Sequence, residues 1–158
     1  MKTAPSLIEI KDKIEEKTEE TSHILLGLGY DLKPITAREF YDWMTGEVFS
    51  EDKTTLMDVL GNEYLMIHEV VEVSELKKRG AAIDTRVVVD SPKELIYTAH
   101  FIAMEFELDY ALGKKDYFWL KLRLGHHHDV LTHDALMPES MKPRAQEIWD
   151  KFEKYRDV

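Results

Sequence analysis

Cysteine is absent from these 158 residues. That one gap removes thiolate nucleophiles, iron–sulfur clusters, Cys-type zinc sites and disulfides together. Any metal has to be held by His, Asp and Glu. Positive charge is also scarce: 21 Lys and Arg stand against 31 Asp and Glu, for a formal net charge of −10. A field of that sign repels phosphate backbones and anionic headgroups, so neither nucleic acid nor a membrane is the expected partner. No window approaches eighteen consecutive apolar residues, which excludes a transmembrane helix. Met1-Lys2-Thr3-Ala4-Pro5-Ser6 runs into an acidic amphipathic stretch without the apolar core of a secretion signal. The expectation is a cytoplasmic protein.

Glycine and proline are sparse, seven and five, and scattered. There is accordingly no Gly-rich phosphate loop and no glycine-flanked serine of the nucleophile-elbow kind. The only β-branched run, Thr85 to Val89, is short and without a partner, and reads as an extended connection.

What remains is a helical pattern. Hydrophobic residues make up 44% and charged ones 33%, the balance of a globular chain. A chain of this length buries about 70% of its unfolded surface as one domain, 1–158, with no structural metal needed. A metal would therefore be functional. Capping boxes at Ser6/Glu9, Thr36/Glu39 and Ser91/Glu94 mark helix starts, and Gly27, Gly29, Gly80 and Gly113 mark stops. Six helices are predicted, over 7–26, 37–48, 52–79, 92–112, 115–136 and 142–157, in an all-α antiparallel bundle. The acidic first helix is expected outside, and the apolar helix 92–112 in the centre. On that helix Glu94, Thr98, Glu105 and Asp109 form one polar stripe, while His100 and Glu107 share another side. One of the two sets should be enclosed.

Four of the seven histidines fall within Gly125-His126-His127-His128-Asp129-Val130-Leu131-Thr132-His133-Asp134. If the helix continues through Gly125, then His126, Asp129 and His133 lie within about 60° of arc. That face also carries Trp119, Leu122 and Met137, so it is expected to point inward. Imidazole and carboxylate at this spacing can approach one divalent ion such as zinc, iron, manganese or nickel. His127, His128 and Asp134 then point elsewhere. The plainer reading is a solvated helix end.

A second constellation is His68-Glu69-Val70-Val71-Glu72-Val73-Ser74-Glu75, where Glu69 and Glu72 at i, i+3 can share a divalent ion. The pattern resembles the first motif of the MazG-type all-α NTP pyrophosphohydrolases, two adjacent glutamates followed three residues later by another, with His68 in place of the first. That family's second motif, Glu and Asp three apart on the partner helix, is met by Glu105 and Asp109 at a spacing of four. The resemblance covers about residues 52–112. Helical periodicity instead puts His68, Glu69, Glu72 and Glu75 opposite the apolar arc, as a solvated acidic face, and turns Glu63 into that arc as a reserve candidate.

An isolated His, an adjacent His-Asp and a distant Asp also occur: His100 or His68, then His128-Asp129 or His133-Asp134, then Asp150. This order resembles the HD-type metal phosphohydrolases, which are also all-α. The enzyme these readings share is a metal-dependent hydrolase of small phosphate esters or phosphoanhydrides, its ion zinc, manganese, iron or magnesium. Its expected ligands are His100, His126, Asp129 and His133, with Glu69 and Glu72 in the MazG-like version. Glu105 or Asp109 would bind the metal or act as general base. The alternative is a non-catalytic helical module, a homodimer or partner-binding bundle with incidental histidines.

Overall fold

Helix starts follow the side-chain chemistry of the sequence. In the computed structural model, which describes residues 4–49 and 54–158, Ser6 accepts from the backbone of Glu9 and opens α1, Leu7–Gly27. Thr36 does the same for Glu39 and opens α2, Ala37–Thr45. The third box fails. Pro92, not Ser91, precedes α6 and no side chain caps it. A box that the sequence reading missed, Thr55/Asp58, starts α3, Leu56–Leu60.

The helix predicted over 52–79 is two helices, and its residues 52 and 53 lie outside the described ones. The chain turns at Gly61, and Asn62 Oδ1 accepts from Tyr64 N at 2.9 Å and Leu65 N at 3.0 Å to start α4, Glu63–Lys78. An asparagine whose side chain satisfies two free N–H groups favours a new start over a continuous helix. Glu63, expected in the apolar arc, is instead an exposed residue of the first turn. The predicted extended connection is likewise corrected, since Val87–Asp90 forms a short helix, α5. The remaining helices are α6, Lys93–Gly113, α7, Tyr117–His133, and α8, Lys142–Phe152. Among the described residues the protein is all-α, with no strand, and no helix is long and apolar enough to cross a membrane.

The chain forms two compact units, Met1–Ser91 and Pro92–Val158. In the first, α1 packs against α2 and α4, burying Ile10, Ile14 and Leu25 while Glu15, Glu16, Glu19 and Glu20 stay exposed. α4 is the most deeply buried helix of this unit, from Tyr64 to Leu76. Gly80, at φ 88°, reverses the chain after it, with Ala81 N donating to Leu76 O at 3.0 Å.

The second unit is a three-helix arrangement in which α6 packs against both α7 and α8. Side-chain pairs give the directions: 107 meets 123 and 101 meets 127, so α6 and α7 are antiparallel. α7 and α8 are antiparallel too, with 127 meeting 145 and 121 meeting 158. α7 runs unbroken through Gly125, and a Cβ built there meets nothing within 4 Å. Glycine inside a helix forfeits about 0.5–1 kcal/mol relative to alanine. Gly125→Ala is therefore expected to raise the stability of this unit by that amount, read as a higher urea midpoint at unchanged slope.

Candidate functional site

The polar arc of α4 is not a solvated face. His68 and Glu72, one turn apart and so on one side of the helix, are 3% and 7% exposed, and His68 Nε2 contacts Glu72 Oε1. Withdrawing either group from water unpaired is expensive, and their mutual contact offsets that cost. Glu69 is half-buried and its Oε2 accepts from Trp43 Nε1 of α2 at 2.7 Å. Glu75 is buried and accepts from the Tyr30 hydroxyl at 2.5 Å, Arg79 Nη1 at 2.6 Å and Lys78 Nζ at 3.0 Å. Burial opposes its ionisation, but the hydrogen bonds from Tyr30, Arg79 and Lys78 outweigh it and hold the carboxyl below its ordinary range. Burial, then the bond to Glu75, raises the Tyr30 phenol. The periodicity correctly set these side chains on one arc. That arc meets protein, not solvent.

On α6, the stripe offered as catalytic is committed to α8. Glu105 accepts from Arg144 Nη2 at 2.5 Å and Lys151 Nζ at 2.7 Å, and Lys151 Nζ also donates to Asp109 at 3.1 Å. Burial disfavours the Glu105 carboxylate, yet its hydrogen bonds from Arg144 and Lys151 bring it below the usual range. The enclosed residue is Glu107, fully buried, where it accepts from Arg123 Nε at 2.7 Å, Arg123 Nη2 at 3.1 Å and Trp119 Nε1 at 2.8 Å. His100, half-buried, sets its ring 5.5 Å from that of Phe101.

The histidine-rich segment turns the opposite way from expectation. His126, Asp129 and His133 do share one side of α7, but all three are exposed, and Leu122 beside them is 42% exposed. The inward face is carried by Leu120, Leu124 and His127, at a 4–3 spacing that the dense run of imidazoles obscures. His127 is fully buried. Its Nε2 lies 2.7 Å from Ala145 O, so that nitrogen carries the proton and donates. Nδ1 is buried with no hydrogen-bond partner, and the ring lies nearly perpendicular to that of Phe101, their centroids 5.7 Å apart. Burial pushes the His127 imidazole below its ordinary range, more strongly than the Ala145 bond raises it. The neighbours are also engaged. His128 packs on Trp149 at 4.5 Å, Asp134 accepts from the Tyr97 hydroxyl at 2.5 Å, and Asp150 accepts from Gln146 at 2.9 Å.

Of the imidazoles and carboxylates named from sequence, α4 thus brings together a buried His and a buried Glu, a pair of ligand types a divalent cation accepts. His68 entered the sequence reading only as a departure from one motif and an alternative in another. Its signal was the i, i+4 spacing to Glu72. No family model matches the chain, and no curated protein and no solved structure matches it.

Proposed function

We propose that α4 holds a divalent cation on His68 and Glu72, and that the site serves hydrolysis of a small phosphate ester or phosphoanhydride. The observation that carries this reading is the buried contact between an imidazole and a carboxylate one helical turn apart. Such an ion offsets the repulsion between phosphate and a chain of net charge −10, and it lowers the pKa of a bound water towards neutrality. Glu69, fixed by Trp43, supplies the adjacent carboxylate of the motif.

The test is thermal unfolding with Zn²⁺, Mn²⁺ or Mg²⁺, alongside phosphate release from nucleoside triphosphates. An ion at 100 times its dissociation constant stabilises by about 2.7 kcal/mol. The expected outcome is a stabilisation of that order that both His68→Ala and Glu72→Ala abolish, together with any metal-dependent phosphate release. The same titration on His100→Ala reads whether the imidazole offered by the sequence takes part. An equal shift in the His68 and Glu72 variants, or none in the parent protein, would sink the proposal.

The second reading is a non-catalytic helical module. It is favoured by one observation: the carboxylates offered as general bases, Glu105 and Asp109, are held by Arg144 and Lys151. Metal-dependent stabilisation without turnover of any phosphorylated substrate selects this reading and leaves the cation site intact.

A further inference from the structure

A groove of about 390 Å³ opens within the unit Met1–Ser91, between α1 and the segment that leads into α2. Its two sides differ in chemistry. Glu15, Thr18, Glu19 and Ser22 line the α1 side. Both hydroxyls there spend their protons on the helix, Thr18 Oγ1 donating to Ile14 O at 2.9 Å and Ser22 Oγ to Thr18 O at 2.7 Å. What they turn outward is lone pairs. With two carboxylates beside them, this side offers hydrogen-bond acceptors only.

The opposite side is apolar, formed by Leu32, Pro34, Ile35 and Val70. It is also held in place. The Tyr30 hydroxyl donates to Glu75, Lys33 N donates to Ser74 Oγ at 2.8 Å, and Lys77 Nζ donates to Pro34 O at 2.6 Å. Three bonds from one short segment to α4 fix the groove before any ligand arrives, which spares a ligand the cost of ordering it. The volume falls in the range of small-molecule sites, roughly 300–1,000 Å³.

We infer that this groove binds a small organic cation, a primary ammonium on an alkyl body. The ammonium presents three donors and no acceptor, the complement of the α1 side, and the alkyl body covers the apolar side. An anion is rejected by Glu15 and Glu19, and a neutral alcohol leaves their charge unanswered. Lys11 reaches Glu15 at 3.6 Å, but both side chains are more than half exposed, so that pair exchanges readily with a ligand. The inference is independent of the cation site on α4.

The probe is hexylammonium, titrated into the full chain at pH 7 and followed by amide chemical shifts. The expected result is saturable shifts confined to residues 15–22, 32–37 and the neighbourhood of Val70. Hexanoate and hexanol should produce no saturation over the same concentrations. The double variant Glu15→Gln/Glu19→Gln, altered only at exposed side chains, should bind about three- to tenfold more weakly at an unchanged unfolding midpoint. Scattered or non-saturating shifts, equal binding of hexanoate, or undiminished binding by the folded double variant would each overturn the inference.

Discussion

Glu107→Ala is expected to destabilise the unit Pro92–Val158 by about 3–5 kcal/mol, the usual result of removing one partner of a buried ion pair. Glu107 is fully buried and joins α6 to α7 through three hydrogen bonds, two from Arg123 and one from Trp119. Without it, the Arg123 guanidinium, only 16% exposed, loses its counter-charge and the indole N–H loses its acceptor. Small domains hold about 5 kcal/mol in reserve, so most of this unit's stability should disappear. Trp43 is the one tryptophan outside 92–158. Urea unfolding in a Trp43→Phe background, followed by the fluorescence of Trp119 and Trp149, therefore reports on this unit alone. The double variant Glu107→Leu/Arg123→Met should recover much of the loss, because matched apolar replacements remove both desolvation costs. If Glu107→Ala lowers stability by less than 1 kcal/mol, the pair does not hold α6 to α7.

The second large effect is acid sensitivity of the same unit. His127 is fully buried, and its free Nδ1 would become a donor without an acceptor on protonation. His100, Arg144 and His128 add positive potential around it. Its folded-state pKa thus lies below the unfolded value of 6.5, so the unfolded chain binds the proton first. Stability is then fully present above pH 6.5 and falls as the pH drops towards the folded value. For one proton that slope cannot exceed about 1.4 kcal/mol per pH unit. Paired carboxylates such as Glu105, with pKa lowered from 4.5, lose their contribution only at lower pH. Stability measured from pH 7.5 to 5 should therefore decline in the parent protein. His127→Leu should flatten that decline. An unchanged slope in this variant would assign the acid sensitivity to another group.

The sequence made much of this fold readable, for identifiable reasons. Ser6 and Thr36 act locally, through hydrogen bonds spanning three residues, so their helices begin where the pattern says. Asn62 was overlooked because apolar periodicity runs across it, although its side chain starts a new helix. The side-chain face of α4 was also legible, since His68, Glu69, Glu72 and Glu75 do share an arc. Whether that arc meets water depends on tertiary packing, and a pattern of polar residues cannot reveal it. The histidine segment shows the converse. His126, Asp129 and His133 share a face as the helical angle requires, while the Leu120, Leu124 and His127 spacing is what sets the inward direction. The number of imidazoles in a segment carries no information on its orientation, whereas the apolar spacing does.

The claim that α4 carries the cation site is tested most directly by following each imidazole while Zn²⁺ is added. Long-range ¹H–¹⁵N spectra resolve the ring nitrogens of individual histidines, so buried His68 can be read separately from exposed His126 and His133. The result predicted here is that the His68 resonances change to completion at one equivalent of zinc and fail to do so in Glu72→Gln. If His68 stays unmoved through several equivalents, or only His126 and His133 respond, the site does not lie on α4.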